Sequence, residues 1–221
     1  MTVCAAQTIR YPRKQSLGEE LVNAISHGIG ALLGIAGLCV LAWRAVSLGT
    51  PLHVVSVSIF GASMILLYLV SCLYHALPHC KGKNVLQVLD HCSIFILIVG
   101  SYAPVCLVTV GGRKGWIIFL INAVCGILGI LLNAISFQRW KKVSMVLYIV
   151  MGWMGILIFP TLFRNLSALG FLFLLLGGIA YTVGVFFYRQ KEKKYWHGIW
   201  HAFVLLGTIL HFFTVYTNCC Y

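Results

Sequence analysis

Seven runs of largely apolar residues, each about as long as a bilayer is thick, dominate this chain and leave it few possible folds. A helix needs about 20 apolar residues to cross a hydrocarbon core of about 30 Å. Runs of that kind fall roughly at residues 21–43, 52–77, 85–110, 115–135, 142–163, 167–188 and 195–217. Turn and charge signals separate them: Gly49-Thr50-Pro51, Pro78-His79-Cys80-Lys81 and Gly111-Gly112-Arg113-Lys114. Backbone polar groups in lipid must be satisfied internally, so only helix bundles and closed barrels span a membrane, and runs this long exclude barrel strands. Connections this short make successive helices antiparallel neighbours. The expected architecture is an all-α membrane protein, a seven-transmembrane helix bundle. A short segment, residues 1–18, would precede a single membrane domain over residues 19–221.

Composition closes off the alternatives. Of 221 residues, 9% are charged and 61% hydrophobic, against about 25% charged in an ordinary globular domain. Disorder, a soluble enzyme core and a disulfide scaffold all fit poorly. A net charge of +12 on its own would suit nucleic acid, but no polar domain exists to carry a binding patch, so no nucleic-acid partner is expected. The cations instead sort by loop. Arg10, Arg13, Lys14, Lys81, Lys83, Arg139, Lys141, Lys142, Arg189, Lys191, Lys193 and Lys194 fall on the side of the N-terminus, and Arg44, Arg113, Lys114 and Arg164 on the other. The positive-inside rule then predicts a cytoplasmic N-terminus and an outer C-terminus. The first twenty residues hold no apolar core, so no cleavable signal is expected and the first span should stay as a membrane helix.

The cysteines carry little chemistry. There are nine, with no Cys-x-x-Cys, and most sit inside apolar runs, where free cysteine behaves as a small hydrophobe. Cys219-Cys220 reads as an ordinary terminus, with palmitoylation or oxidation as the alternative. Gly30 and Gly34 form a small-residue pair on the first span, a packing signal.

Ionisable groups inside spans are expensive and ask for a partner or a function. They are Glu20, His27, His75, Asp90, His91, His197, His201 and His211. At about 1.5 Å per residue, all but His211 lie within about two helical turns of the same membrane face, and His211 lies about 15 Å beyond His201. His197 and His201 are four apart and project from one helical face. His75, at matching depth, offers a third imidazole, and three histidines with a water in the fourth position form a common catalytic zinc arrangement.

Asp90 is the sole carboxylate of the middle five spans. It could offset the metal's charge and act as general base, or it could cap the third span or pair with Lys83. Ser71, one turn before His75, could orient the water or serve a developing oxyanion; alternatively its hydroxyl bonds back to its own helix. His91 points roughly 100° away from Asp90 and suits an interhelical contact better than metal ligation. Glu20, Asn23 and His27 line one side of the first span, either as a second shell holding the ligands or as an acid-favoured helix start with a neighbouring helix satisfying His27.

Glu20-x-x-Asn23-x-x-x-His27, Ser71-x-x-x-His75, Asp90, Gly100-Ser101-Tyr102-x-Pro104 and His197-x-x-x-His201 together resemble the hemolysin III family. That family belongs to the progestin and adipoQ receptor superfamily. The likeness runs from about residue 18 to 217. It implies a seven-helix fold with a cytoplasmic N-terminus and a zinc ion held by His75, His197 and His201, with Asp90 and Ser71 close to its water. Related adiponectin receptors and alkaline ceramidases hydrolyse lipid amides, so the resemblance implies a membrane-lipid substrate, an acyl amide or ester. The family name points to a second class of function, lysis of cells, and receptor relatives point to a third, ligand sensing with structural zinc. Seven fixed spans and no secretion signal argue against a lytic agent, and minimal loops against a receptor.

Overall fold

The computed structural model describes residues 14–78, 80–190 and 192–218; Arg10, Arg13, Lys191 and Cys219-Cys220 lie outside them. The described chain is helical from end to end: α1 (Leu17–Leu48), α2 (Pro51–Ala76), α3 (Lys81–Tyr102), α4 (Gly112–Gly152), α5 (Phe159–Asn165), α6 (Ala168–Tyr188) and α7 (Trp196–Asn218). A π-helical segment, Ala103–Val110, extends α3, and a 3-10 segment, Met154–Ile158, joins α4 to α5. Among the described residues six helical stretches are long and apolar enough to cross a bilayer: Leu17–Leu48, Pro51–Ala76, Lys81–Val110, Gly112–Asn165, Ala168–Tyr188 and Trp196–Asn218.

The fourth of these spans 54 residues, about 80 Å if straight, and it is not straight. Ser136 has non-helical backbone angles (φ −163°, ψ 90°), and the chain folds back there. Asn133 Oδ1 accepts from Ser144 Oγ at 2.6 Å, and Asn122 Nδ2 donates to the Met151 carbonyl at 3.2 Å. In a straight helix Asn122 and Met151 would lie about 43 Å apart. The connection expected between 135 and 142 therefore shrinks to one residue, with Arg139, Lys141 and Lys142 already on the returning helix. Buried amide–hydroxyl bonds hold the two arms, where sequence reasoning looked for a loop.

The other breaks match their turn chemistry. Pro51 opens α2 after Thr50, and Gly111 and Gly112 take positive φ (62° and 54°) between the π segment and α4. Pro104 sits at the head of the π segment and Pro160 in the first turn of α5, so both prolines start elements. α1 begins with a reciprocal cap: Ser16 Oγ accepts from Glu19 N, and the Glu19 carboxylate accepts from Ser16 N at 2.9 Å. The other Glu19 oxygen accepts from Tyr195 N at 2.9 Å, tying the head of α1 to the turn that launches α7.

In lipid, helices associate through close packing of small residues. A Cβ on Gly30 would strike the Tyr68 ring of α2, and one on Gly34 would press on Ile65 at 3.3 Å. Gly198 serves α1 and α7 likewise, with Asn23 Oδ1 3.2 Å from where its Cβ would stand. These contacts bring α1, α2 and α7 together at the face where α1 and α7 start and α2 ends.

Candidate metal centre

α2 and α7 each deliver imidazoles to the same point. One nitrogen from each of His75, His197 and His201 can be chosen so that all three lie within 4.8 Å of one another. The i, i+4 spacing puts His197 and His201 on one face of α7, and their Nε2 atoms stand 3.1 Å apart. The His75 ring packs 5.2 Å from that of His197 and 5.0 Å from that of His201. His75 and His201 are buried, at 3% and 2% exposure.

The donor chemistry fits a metal. An ionised carboxylate only accepts hydrogen bonds, so the 2.6 Å contact between His75 Nδ1 and Glu20 Oε2 makes Nδ1 the donor. That fixes the tautomer and leaves Nε2 with its lone pair bare; Nε2 is buried with no hydrogen-bond partner. A buried, orphaned nitrogen of this kind costs roughly 1–3 kcal/mol unless something binds it. On α7, Ser26 Oγ spends its proton on the Asn23 carbonyl at 2.9 Å, so its 3.4 Å contact with His201 Nδ1 makes that nitrogen the donor and again leaves Nε2 facing inward. A carboxylate or hydroxyl behind each imidazole is the usual backing of metal-bound histidine. Donors on one tetrahedral ion with bonds of about 2.1 Å stand about 3.4 Å apart, and the His197 and His201 nitrogens already stand at 3.1 Å.

Other residues singled out in the sequence take distinct places. Glu20 bridges two partners, with Oε1 accepting from Lys83 Nζ at 2.8 Å. Lys83 is thus Glu20's cation, not Asp90's. His27 stacks face to face on His201, with ring centroids 3.5 Å apart, and both its nitrogens lack hydrogen-bond partners. Asn23 donates to Gln15 Oε1 at 2.8 Å, and its own oxygen faces Gly198. Ser71 is buried, its hydroxyl without a partner, so it does not bond back to its helix.

Asp90 is buried on α3 with Oδ2 3.6 Å from His91 Nδ1. It does not belong to the converging trio. It bears electrostatically on Tyr74 and Tyr188, the phenols that pack on His75 at 4.5 Å and His197 at 6.1 Å. His91 is interhelical: Nδ1 donates to the Gln87 carbonyl at 2.9 Å, and Nε2 meets Tyr188 OH at 3.2 Å. Sequence reasoning passed over Ser26, Tyr74, Tyr188 and Lys83's role. Only Ser26 had a readable signal, standing beside His27 on the polar side of α1.

The sequence pattern described as Haemolysin-III related matches residues 15–212. The chain belongs to that family. It is 42% identical over 201 residues to "Hemolysin-3" of Bacillus cereus, covering 91% of this chain and 92% of that protein. It is 41% identical over 204 residues to "Hemolysin-3 homolog" of Bacillus subtilis (strain 168), covering 92% and 96%. A more distant relative, "Monocyte to macrophage differentiation factor" of Homo sapiens, is 26% identical over 170 residues, covering 72% and 68%. The chain, homologous to these bacterial proteins, is a multi-pass membrane protein, and its histidine trio can hold a metal ion.

Proposed function

We propose that this chain is a membrane-embedded zinc hydrolase that cleaves acyl amide or ester bonds of membrane lipids. It would cross the membrane seven times, with Ser136 at the turn between the fourth and fifth crossings, and hold its N-terminus and histidine trio at the cytoplasmic face of the plasma membrane. The carrying observation is the convergence of His75, His197 and His201, with the His75 imidazole backed by the Glu20 carboxylate. Three imidazoles suit zinc over harder cations. When bound in such a set, zinc supplies Lewis acidity and a water acidic near neutral pH.

The chain's own groups then have separable tasks. Glu20 holds the His75 ring with Nε2 inward, and Lys83 keeps Glu20 ionised while binding it. Asp90, with Oδ2 3.6 Å from His91 Nδ1, would serve as the general base. The unpartnered Ser71 hydroxyl, one turn from His75, donates to the carbonyl oxygen as it gains negative charge. His75 and His201 are buried among the helices, which strengthens the polar interactions made there.

Metal analysis of the purified protein should find about one zinc per chain, lost on His197→Ala and His201→Ala. Incubation with a bacterial lipid extract should release fatty acid, and Asp90→Ala should abolish the release. No acid from any lipid class, with wild type and Asp90→Ala behaving alike, would sink the hydrolase reading. The name of the 42%-identical relative favours a second reading, membrane lysis. Dye leakage from proteoliposomes that survives replacement of His75, His197 and His201 would move the conclusion there.

A further inference from the structure

A polar cavity of about 310 Å³ opens on the face where α1 starts and reaches inward to His75 and His197. Its walls differ from those of a cavity of similar size, about 290 Å³, between α1, α2 and α7, and of two smaller ones, all of which are apolar. Lys14, Lys83, Lys141 and Lys193 line it, with Glu19 and Glu20 as its acids.

Both acids are already engaged. Glu20 accepts from His75 and Lys83, and Glu19 accepts from Ser16 and from Tyr195 N. Two of the cations are not bound to acids. Lys141 Nζ donates to the neutral Gln138 oxygen at 3.0 Å, and Lys193 Nζ sits 4.0 Å over the Trp196 ring. Counting lysines and glutamates, the lining is net positive by four less two, and a divalent metal on the trio would raise that further. Low-dielectric walls around a cleft of one sign concentrate counter-ions in it.

We propose that this cavity seats the anionic headgroup of the lipid substrate, with Lys141 and Lys193 as its charge-recognising residues. The inference rests on the hydrolase reading and deepens it: the substrate class is an acyl lipid with a carboxylate or phosphate head, not a neutral one. The headgroup enters from the face of the histidine trio, so the acyl linkage arrives beside His75 and His197. Arrangement carries the point. Basic residues on this face also follow from membrane orientation alone, but Lys142 and Lys194 are equally basic, adjacent in sequence, exposed, and do not line the cavity.

Those neighbours provide the controls. Equilibrium binding of N-decanoylglycine and its neutral counterpart N-decanoylethanolamine is measured on the full-length, zinc-loaded protein in detergent, with and without inorganic phosphate. Wild type should bind the anionic amide about tenfold more tightly. Lys141→Gln and Lys193→Gln should each weaken it about threefold, the scale of one exposed charge pair, without affecting the neutral amide. Lys142→Gln and Lys194→Gln should leave both unchanged. Equal binding of the two amides overturns the headgroup site, and so does an equal loss with the Lys142→Gln and Lys194→Gln controls. Displacement by millimolar phosphate as effective as by the lipid also overturns it, assigning the cavity to free anions. Charge-selective binding without any fatty-acid release sinks hydrolysis and leaves the headgroup site standing, so the two failures are distinguishable.

Discussion

His201 and His211 lie on the same helix about 15 Å apart, yet they inhabit different chemistry. His201 faces two other imidazoles, stacks on His27 and is backed by Ser26. His211 is wedged between Gly177 and the edge of Tyr181, its Nε2 buried without a partner, on the wall of the apolar cavities. Both are histidines inside a span, and a rule that every such residue marks a site would treat them alike. What separates them is convergence: three helices aim polar groups at His201, while His211 meets aromatic rings and glycine.

The sharpest break of that comparison is metal binding. His75→Ala should reduce zinc from about one per chain to background, because two imidazoles of α7 alone leave half a tetrahedral shell open. Addition of a chelator should lower the thermal midpoint of wild type, since a ligand at a hundred times its Kd stabilises by about 2.7 kcal/mol. The same chelator should leave His75→Ala unmoved. A wild type insensitive to chelation would erase the distinction between the two histidine environments.

Glu20→Gln tests the backing of the trio. The amide can still face His75 Nδ1 but no longer enforces the donor tautomer, and Lys83 loses its counter-charge. Zinc affinity, read by competition with a chelator of known strength, should fall about 10- to 100-fold while stoichiometry at saturating zinc stays near one. Loss of stoichiometry as well would make Glu20 a ligand, not a support.

How much of this was legible in the sequence follows from which interactions are local. Span positions are fixed by bilayer thickness, and the His197–His201 pair by helical pitch, so both can be read directly. His75 was found by depth alone. Of the roles open to Asp90, pairing with Lys83 drops out, because Lys83 of α3 reaches across to Glu20 of α1, a contact that only the packed bundle decides. The turn at Ser136 carries neither glycine nor proline; side chains of Asn133 and Ser144, brought together by the fold itself, hold it. The aromatic frame of Tyr74 and Tyr188 was invisible because tyrosine in a span reads as bulk.

A smaller effect is expected where the two halves of α7 join. Tyr68 OH donates to Thr208 Oγ1 at 2.7 Å, and Thr208 also meets Tyr181 OH at 2.8 Å. Tyr68→Phe keeps the ring against Gly30 and His27 and removes only the hydroxyl. Interhelical hydrogen bonds in membrane proteins average about 0.6 kcal/mol, so unfolding in detergent should shift by roughly 0.5–1 kcal/mol. Zinc content should not change. A drop in zinc would extend the metal centre along α7 toward His211 and blur the contrast.

The smallest loss belongs to His211 itself. His211→Phe keeps an aromatic ring between Gly177 and Tyr181 and removes a buried nitrogen that has no partner. It also removes the bond from the ring's other nitrogen to the Leu174 backbone. The first change relieves about 1–3 kcal/mol of unsatisfied polarity and the second forfeits about 1 kcal/mol; the Leu174 carbonyl, inside α6, keeps its helical partner. Net stability should therefore stay the same or rise by at most about 1–2 kcal/mol, measured as an unfolding midpoint in detergent, with zinc and lipid turnover at wild-type levels. His201→Phe, the same substitution at the other histidine, should abolish both. If instead His211→Phe lowered turnover while zinc stayed bound, the apolar cavities would have to be part of the reaction path, and depth along α7 would no longer separate the reacting end from the packing end.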